Sequence, residues 1–319
     1  LAGERLETLD PPASARPSRA VRDALPQLQS DLDRLVVELE RHPAPDGSCR
    51  RLMRLESGRT IEGVDLPRDG LCVSTQVGCA VGCRFCRTGE DGLIAQLSPL
   101  ELLAQVALAR RERPLRRVVL MGMGEPAHNL AAVLEALAVL GDEGRLPHKN
   151  LVFSTVGEPA VFGRLLDHAV RPALALSLHT LAPDRRAELL PRAPRVAPGP
   201  LLDAALDYAD RTTYPLLVQW TLLEGVNDSR DEALRLAGLL HGRRAIVNYI
   251  PFNAVEGSGY GRPPIERGVE LVRTLKGAGV LATLRHSAGQ EVDGACGQLR
   301  ARHAAPSKGG VALSEPGRP

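Results

Sequence analysis

The chain has 319 residues, which is long enough to bury a large apolar core. No apolar run approaches the roughly 20 residues that span a membrane, so we expect no membrane association. The net charge is only +2, and the 6 cysteines occur without a recognisable secretory leader. These features favour a protein of the reducing cytoplasm, and we expect it to be a monomer.

The N-terminal part of the chain predicts two small elements. Residues 1–45 predict an extension that is disordered in its Pro-, Ala- and Arg-rich start and helical over 19–41. The pairs Asp46-Gly47 and Ser57-Gly58 have turn composition, so residues 46–67 predict a small β element. We expect these two pieces to form a small helical and β accessory region.

Apolar strand-like runs alternate with amphipathic helical patterns across residues 68–302. The predicted strands lie at 71–74, 117–121, 151–155, 173–178, 216–222, 245–250 and 280–285. The predicted helices lie near 97–113, 130–141, 159–169, 199–211, 230–241 and 265–278. Such alternation is typical of a parallel sheet covered by helices. The sequence therefore predicts the α/β class, as a partial (βα)6 barrel, followed by a mobile tail at 303–319.

Polar residues and glycines gather where the predicted strands end. In barrels of this kind the active site lies at the carboxyl ends of the strands. Those ends carry Gly122, Gly124, Glu125, Ser154, Thr155, Ser177, Leu178, His179 and Asn253. Each residue alone could be an ordinary turn or cap. Their recurrence at successive strand ends predicts a shared binding site.

Three cysteines occur in one loop at the spacing Cys79-x-x-x-Cys83-x-x-Cys86. Three thiolates leave one iron of a [4Fe–4S] cluster open to an outside ligand. A zinc site would need a fourth Cys or His nearby, and a disulfide would leave one thiol over. The triplet, with Phe85 just before its last Cys, resembles the signature of the radical S-adenosylmethionine (SAM) superfamily. That resemblance implies a [4Fe–4S] cluster whose open iron binds SAM.

Six ordered segments, spread from about residue 46 to residue 299, resemble the RlmN/Cfr family. They are the run from Cys72 to Gly89, Met121-Gly-Met-Gly-Glu-Pro126, Ser177-Leu-His179, Gly225-Val-Asn-Asp228, Ile250-Pro-Phe-Asn253 and Ala295-Cys-Gly-Gln-Leu299. Members of this family are radical SAM methyltransferases that act on an adenine of 23S ribosomal RNA and, in some cases, of tRNA. The resemblance implies an RNA substrate and a partial radical SAM barrel.

The resemblance also implies a role for each matching residue. Cys79, Cys83 and Cys86 would hold the cluster. The SAM contacts would be Gly124, Glu125, Ser154, Ser177, Leu178, His179 and Asn253. Cys296 would carry the methyl group, Cys72 would be the resolving thiol, and Glu62 would be the base.

The family mechanism explains why two further thiols are needed. Carbon 2 or 8 of adenine is not nucleophilic, so the Cys296 thiolate first takes a methyl group from one SAM. A radical derived from a second SAM removes a hydrogen from that methyl, whose carbon then adds to the ring. Glu62 would remove the ring proton, and Cys72 would release the product by forming a disulfide with Cys296. A flavodoxin and its reductase would supply electrons.

The sequence departs from the family at three places. The region before the β element is shorter than usual, at about 45 residues. The family's Pro-(Ile/Val)-Asn segment is replaced by Pro191-Arg192-Ala193 and its flanks, and Gly289-Gln290-Glu291 stands where Gly-Asp-Asp is common. These departures lie where substrate could be recognised.

We therefore expect a methyltransferase that modifies an sp2 carbon of adenine in ribosomal RNA, tRNA or both, with carbon 2 favoured over carbon 8. One alternative is a divergent paralogue that uses the same two-cysteine chemistry on a small nucleotide or a peptide. Another is a non-catalytic iron–sulfur RNA-binding protein. The presence of both Cys72 and Cys296 argues against the second alternative, because RNA binding needs neither thiol.

Overall fold

A computed structural model describes residues 18–253 and 258–285 of the chain. Its strands are β1 (Val36–Pro43), β2 (Cys49–Leu55), β3 (Thr60–Leu66), β4 (Gly70–Cys72), β5 (Gln76–Gly78), β6 (Leu93–Gln96), β7 (Arg117–Leu120), β8 (Leu151–Thr155), β9 (Ala173–Ser177), β10 (Leu216–Leu222), β11 (Ala245–Pro251) and β12 (Leu281–Leu284). Its helices are α1 (Arg19–Leu35), α2 (Pro99–Arg110), α3 (Leu130–Gly141), α4 (Pro159–Asp167), α5 (Pro183–Leu189), α6 (Pro198–Thr212), α7 (Arg230–Leu240) and α8 (Ile265–Gly277).

Ten of these strands form one sheet, in the order β1-β2-β3-β4-β7-β8-β9-β10-β11-β12. From β4 to β12 every neighbouring pair in this sheet is parallel. The predicted α/β class is confirmed, and each predicted strand and helix of the barrel coincides with an observed element. Parallel pairing follows from the crossover helices, which return the chain to the same edge of the sheet before each new strand.

The parallel strands are buried on both faces, which explains their continuous apolar composition. On β8, Leu151 and Phe153 join the large core that packs against the helices. Val152, between them, joins a smaller apolar cluster made of strand residues only, together with Val119 and Ala175. We call this second side, which points away from the helices, the lumen face.

The first three strands extend the barrel sheet at one edge. β1, β2 and β3 form an antiparallel meander, and β3 pairs with β4. The helix predicted over 19–41 ends at Leu35. The prediction was wrong beyond that residue, because Val36–Pro43 is a strand. Val36 and Val37 are β-branched, and pairing with β2 outweighs the local helical pattern in this segment.

Two elements had no clear signal in the sequence. The short strands β5 and β6 form a separate antiparallel hairpin around the cysteine loop. Helix α5 has only seven residues and follows β9. Within the described ranges, no helix has both the length and the apolar composition to cross a membrane.

A buried ion cluster joins the accessory strands to the barrel. Arg51, whose side chain is 2% exposed, contacts Asp65 of β3, Glu38 of β1 and Glu112, each at 2.7 Å. Arg41 also contacts Glu38 and Glu112, but its side chain is 41% exposed. The two arginines therefore share two partners and differ in burial.

We expect Arg51→Ala to lower the free energy of unfolding by about 3 kcal/mol, because it removes a buried cation that contacts three carboxylates, of which Asp65 is only 11% exposed. Arg41→Ala, the matched control, should cost about 1 kcal/mol or less. Urea denaturation of both variants measures the difference. Equal losses would contradict the importance assigned to burial.

The same cluster predicts a pH effect. Hydrogen bonds from Arg41, and then from Arg51, lower the pKa of Glu112 from 4.5 to about 2. The stability that Glu112 contributes is therefore fully present above pH 4.5 and is lost as the pH falls towards 2. In the Arg51→Ala variant the dependence of stability on pH across this window should become shallower.

Candidate active site

The strand-end residues predicted from the sequence lie along one edge of the sheet. Ser154 and Ser177 lie near the carboxyl ends of β8 and β9, which are adjacent parallel strands. Glu125 follows β7, His179 follows β9 and Asn253 follows β11. Parallel neighbours place all five at the same edge. The structure therefore brings these predicted residues together.

The three cysteines occupy a loop that begins directly after β5. Cys79 N–H donates to Gly92 O at 2.8 Å, and Cys86 N–H donates to Cys83 O at 3.0 Å, so the loop folds back on itself. The backbone turns tightly at Gly82, which has φ +65°. A Cβ on Gly89 would lie 2.8 Å from Gly82 Cα, so only glycine fits where the two segments cross.

The three thiols lie close enough to affect one another. Burial raises the pKa of Cys79 to about 12, and the charge of Cys86 acts in the same direction. Burial also raises the pKa of Cys83, with further increases from Cys86 and Cys79. Such thiols become thiolates only when a cation or metal compensates their charge. The donor set therefore fits a metal-bound centre.

The number of thiols in the loop fits an iron–sulfur cluster with one open iron. Three thiolates leave one iron of a [4Fe–4S] cluster without a protein ligand. A tetrahedral zinc would need a fourth Cys or His, and the loop from Cys79 to Cys86 contains neither beyond its three cysteines.

The segment after β9 holds the cysteine loop in place. Arg84 N–H donates to Leu189 O at 3.0 Å, and Arg192 donates to Val81 O at 3.3 Å and, through Nη1, to Ala80 O at 3.1 Å. The apolar cluster at this contact contains Val81, Val156, Leu189, Leu190, Ala193, Leu223 and Phe252. The Arg192 segment, which departs from the family pattern, thus packs against the loop.

Glu125 is a buried carboxylate that accepts hydrogen bonds from two backbone N–H groups and from the Thr155 side chain. It is 4% exposed and accepts hydrogen bonds from Val156 N–H at 2.9 Å and Ala127 N–H at 3.0 Å. Burial raises its pKa to about 7. The preceding Gly124 has φ +102°, and a Cβ there would lie 2.6 Å from Gln76 Cβ. Such a carboxylate is suited to binding a ligand ammonium group, which would restore its full charge.

His179 is held as a neutral ring at the end of β9. Burial, and then the charge of Arg186, lower its pKa to about 3. Thr221 N–H donates to Nδ1 at 3.0 Å, so Nε2 carries the proton and is the donor available to a ligand. The Phe85 ring contacts His179 edge-on, with centroids 4.9 Å apart. This contact links the cysteine loop to the strand ends.

Asn227 fixes the backbone around His179. Its Nδ2 donates to His179 O and to Thr221 O, both at 2.8 Å, and its Oδ1 accepts from Leu223 N–H at 2.7 Å. His179 has φ +63°, a strained value for a residue with a side chain. The Gly225-Val-Asn-Asp228 motif therefore positions His179 through its asparagine.

Glu62 on β3 and Cys72 on the adjacent strand β4 lie on the same face of the sheet. Cys72 pairs directly with Val64, and Glu62 is two residues from Val64 on β3, so all three side chains point to the lumen face. Arg50 Nη1 donates to Glu62 Oε2 at 3.1 Å, with both side chains at most 2% exposed. Burial raises the pKa of Cys86, and the charge of Glu62 acts in the same direction. Cys296 lies outside the described residues.

Sequence reasoning missed four buried polar residues near the site. Arg50, Arg186, Gln219 and Asn248 are 2%, 3%, 5% and 1% exposed. Gln219 and Asn248 are adjacent in register on β10 and β11, and Gln219 is also adjacent to Ser177. A polar residue inside an otherwise apolar strand was the available signal for these two. Arg186 gave no such signal, because an arginine on a short helix is usually solvated.

Comparison with known proteins agrees with this geometry. Residues 73–237 match the model of the radical SAM superfamily. The chain is 58% identical to a probable RNA methyltransferase of Leptothrix cholodnii, over 91% of this chain and 83% of that protein. It is 56% identical to one of Pseudomonas aeruginosa, over 88% and 82%. The crystal structure of a radical SAM methyltransferase from Sphaerobacter thermophilus is similar, with a TM-score of 0.79, 34% identity and 89% coverage of both chains.

The Asn227 contacts generate a prediction for the site. Asn227→Ala removes the partners of three backbone groups around His179, and we expect it to lower the free energy of unfolding by about 3 kcal/mol. The neighbouring Asp228 accepts one exposed bond, from Gly225 N–H at 3.1 Å, so Asp228→Ala should cost about 0.5 kcal/mol. Urea denaturation compares the two, and similar losses would remove Asn227 from its positioning role.

Proposed function

The chain belongs to the radical SAM superfamily, and we propose that it is an RNA methyltransferase of the RlmN/Cfr type that modifies an sp2 carbon of adenine. The observation that carries this proposal is the position of Cys72. Cys72 is 6% exposed, and its thiol lies on the lumen face of β4, which pairs with β3, the strand that carries Glu62 on the same face. Initiating a radical needs only the cysteine triplet, so a lumen thiol next to a buried carboxylate supports the two-cysteine reaction.

The cofactors are assigned to residues as follows. Cys79, Cys83 and Cys86 would hold the [4Fe–4S] cluster, which when bound would supply one electron to SAM. Glu125 would accept hydrogen bonds from the SAM ammonium group, as its buried carboxylate and raised pKa suit it to do. Gly124 would let the backbone approach closely. The remainder of SAM would be held by Ser154, Ser177, Leu178, His179 and Asn253.

The chain's own residues then carry the methyl transfer. The Cys296 thiolate displaces the methyl group from one SAM, because the ring carbon is not nucleophilic. After one hydrogen atom is removed from that methyl group, its carbon would bond to the adenine ring and join protein to RNA through a thioether. The ring proton would go to Glu62, and the unpaired electron would leave to a one-electron acceptor such as the oxidised cluster. The Cys72 thiolate would then attack the Cys296 sulfur, the carbon–sulfur bond would break, and the carbon would take up a proton and remain on the RNA as a methyl group, while the two thiols end as a disulfide that cellular thiols reduce.

Arg50 fits this scheme as the partner that orients the base. Its guanidinium donates to Glu62 Oε2, while the Glu62 backbone carbonyl accepts from Ser74 Oγ at 2.5 Å. A carboxylate fixed at both its head group and its backbone keeps its position when the ring approaches. The base is therefore held in place before substrate binds.

The substrate is assigned as adenine in ribosomal RNA, tRNA or both, with carbon 2 favoured over carbon 8. The names of the relatives support RNA, and the resemblance of the six motifs supports adenine. A flavodoxin-type donor would reduce the cluster. The second candidate is a paralogue that uses the same chemistry on a small nucleotide or peptide, and it is favoured only by the altered segment around Arg192.

We expect Cys72→Ala to accumulate a covalent protein–RNA adduct, because the thioether forms but no thiol resolves it. Peptide mapping should place the attachment at Cys296. The matched control is Cys49→Ala: Cys49 lies on β2, where strand alternation points it away from the face that carries Arg50 and Glu62. This control should turn over without adduct. Free turnover by Cys72→Ala would exclude Cys72 from the mechanism.

A further inference from the structure

Arg186 is a buried arginine that has no carboxylate partner among residues 18–253 and 258–285. It lies on α5 and is 3% exposed. Its Nη2 donates to the backbone carbonyl of Val156. Its Nε has no hydrogen-bond partner in the described part of the chain, and the only charge there that acts on its pKa is that of Cys83.

Two other arginines show what burial of a guanidinium ordinarily requires. Arg50 and Arg51, both 2% exposed, have the carboxylates of Glu62 and Asp65 as partners. A buried cation without a counter-charge costs several kcal/mol, so such groups are retained where an anion compensates them. Burial lowers the pKa of Arg186 to about 10, while the Cys83 charge acts in the opposite direction.

The surroundings of Arg186 lead to the cysteine loop. Leu189, on the same short helix, accepts the Arg84 N–H of that loop at 3.0 Å. Val156 accepts from Arg186 through its carbonyl and donates its N–H to Glu125 at 2.9 Å. Burial, and then the charge of Arg186, lower the pKa of His179, which is held neutral. Helix α5 thus carries a fixed positive charge and contacts the cysteine loop.

We propose that Arg186 is the counter-charge of the iron–sulfur cluster and sets its reduction potential. Reduction adds one electron, taken from an external donor, and so adds one negative charge to the thiolate-bound cluster. A buried cation stabilises the more negative state and raises the midpoint potential. Arg186 acts here through its charge on the cluster, and not as a catalytic residue. The inference rests on the proposed cofactor and does not depend on the RNA substrate.

The test is an anaerobic redox titration of the reconstituted protein with dithionite, followed by electron paramagnetic resonance. Arg186→Gln keeps a polar side chain but removes the charge and is too short to keep the bond to Val156 O, so the midpoint potential should become more negative. Arg186→Lys should stay close to the wild-type potential. Arg192→Gln is the matched control, because Arg192 also donates to a carbonyl of the loop but is exposed to solvent. Its potential should not change. An unchanged potential in Arg186→Gln would overturn the proposal.

The cluster-free protein supplies the second measurement. Removing an uncompensated buried charge should leave its stability in urea unchanged or higher in Arg186→Gln. If Arg186 served only to hold Val156, the same variant would lose stability. A cluster-free Arg186→Gln protein that fails to fold therefore also contradicts the proposal.

These readouts separate the inference from the proposed function. No step of the titration uses RNA. If the potential of Arg186→Gln shifts but the wild-type protein methylates no RNA, the proposed methyltransferase function is contradicted and the role of Arg186 is supported. If the wild-type protein methylates RNA but the potential of Arg186→Gln does not shift, the function is supported and the role of Arg186 is contradicted.

Discussion

The enclosure of three thiols in one loop is the constraint on which the rest of the site depends. Cys79, Cys83 and Cys86 sit where burial disfavours their charged forms, so the loop becomes a ligand set only when positive charge is brought to it. Two features of the segment after β9 bear on the loop. The segment after β9 clamps the loop through backbone hydrogen bonds, and the same segment carries the buried guanidinium of Arg186.

The polar groups around the loop are arranged to suit that constraint. Glu125 and His179 are both buried, and burial pushes both towards their neutral forms, so neither opposes a charged ligand before it arrives. Glu62, in contrast, is paired with Arg50 on the lumen face next to Cys72. Glu125 and His179 thus lie at the carboxyl-end edge of the strands, whereas Glu62 and Cys72 lie on the lumen face.

The barrel could be predicted from the sequence because its signals are local. Apolar runs such as the one around Val152 and Phe153 mark strands by composition, and the cysteine triplet is contiguous. The strand Val36–Pro43 and the short helix α5 could not be predicted in this way, since long-range contacts hold both. The same reason hid Arg186: its burial depends on the folding of the cysteine loop against α5, which no local pattern records.

The proposal that the chain methylates a ring carbon of adenine in RNA is tested by the modified nucleosides of a cell that lacks the protein. Ribosomal RNA and tRNA from a deletion strain would be digested and compared by mass spectrometry with those of the parent and of a strain complemented by the Cys72→Ala variant. We expect one ring-methylated adenosine, 2-methyladenosine, to disappear and to remain absent in the Cys72→Ala strain. An unchanged set of methyladenosines in the deletion strain would contradict the account.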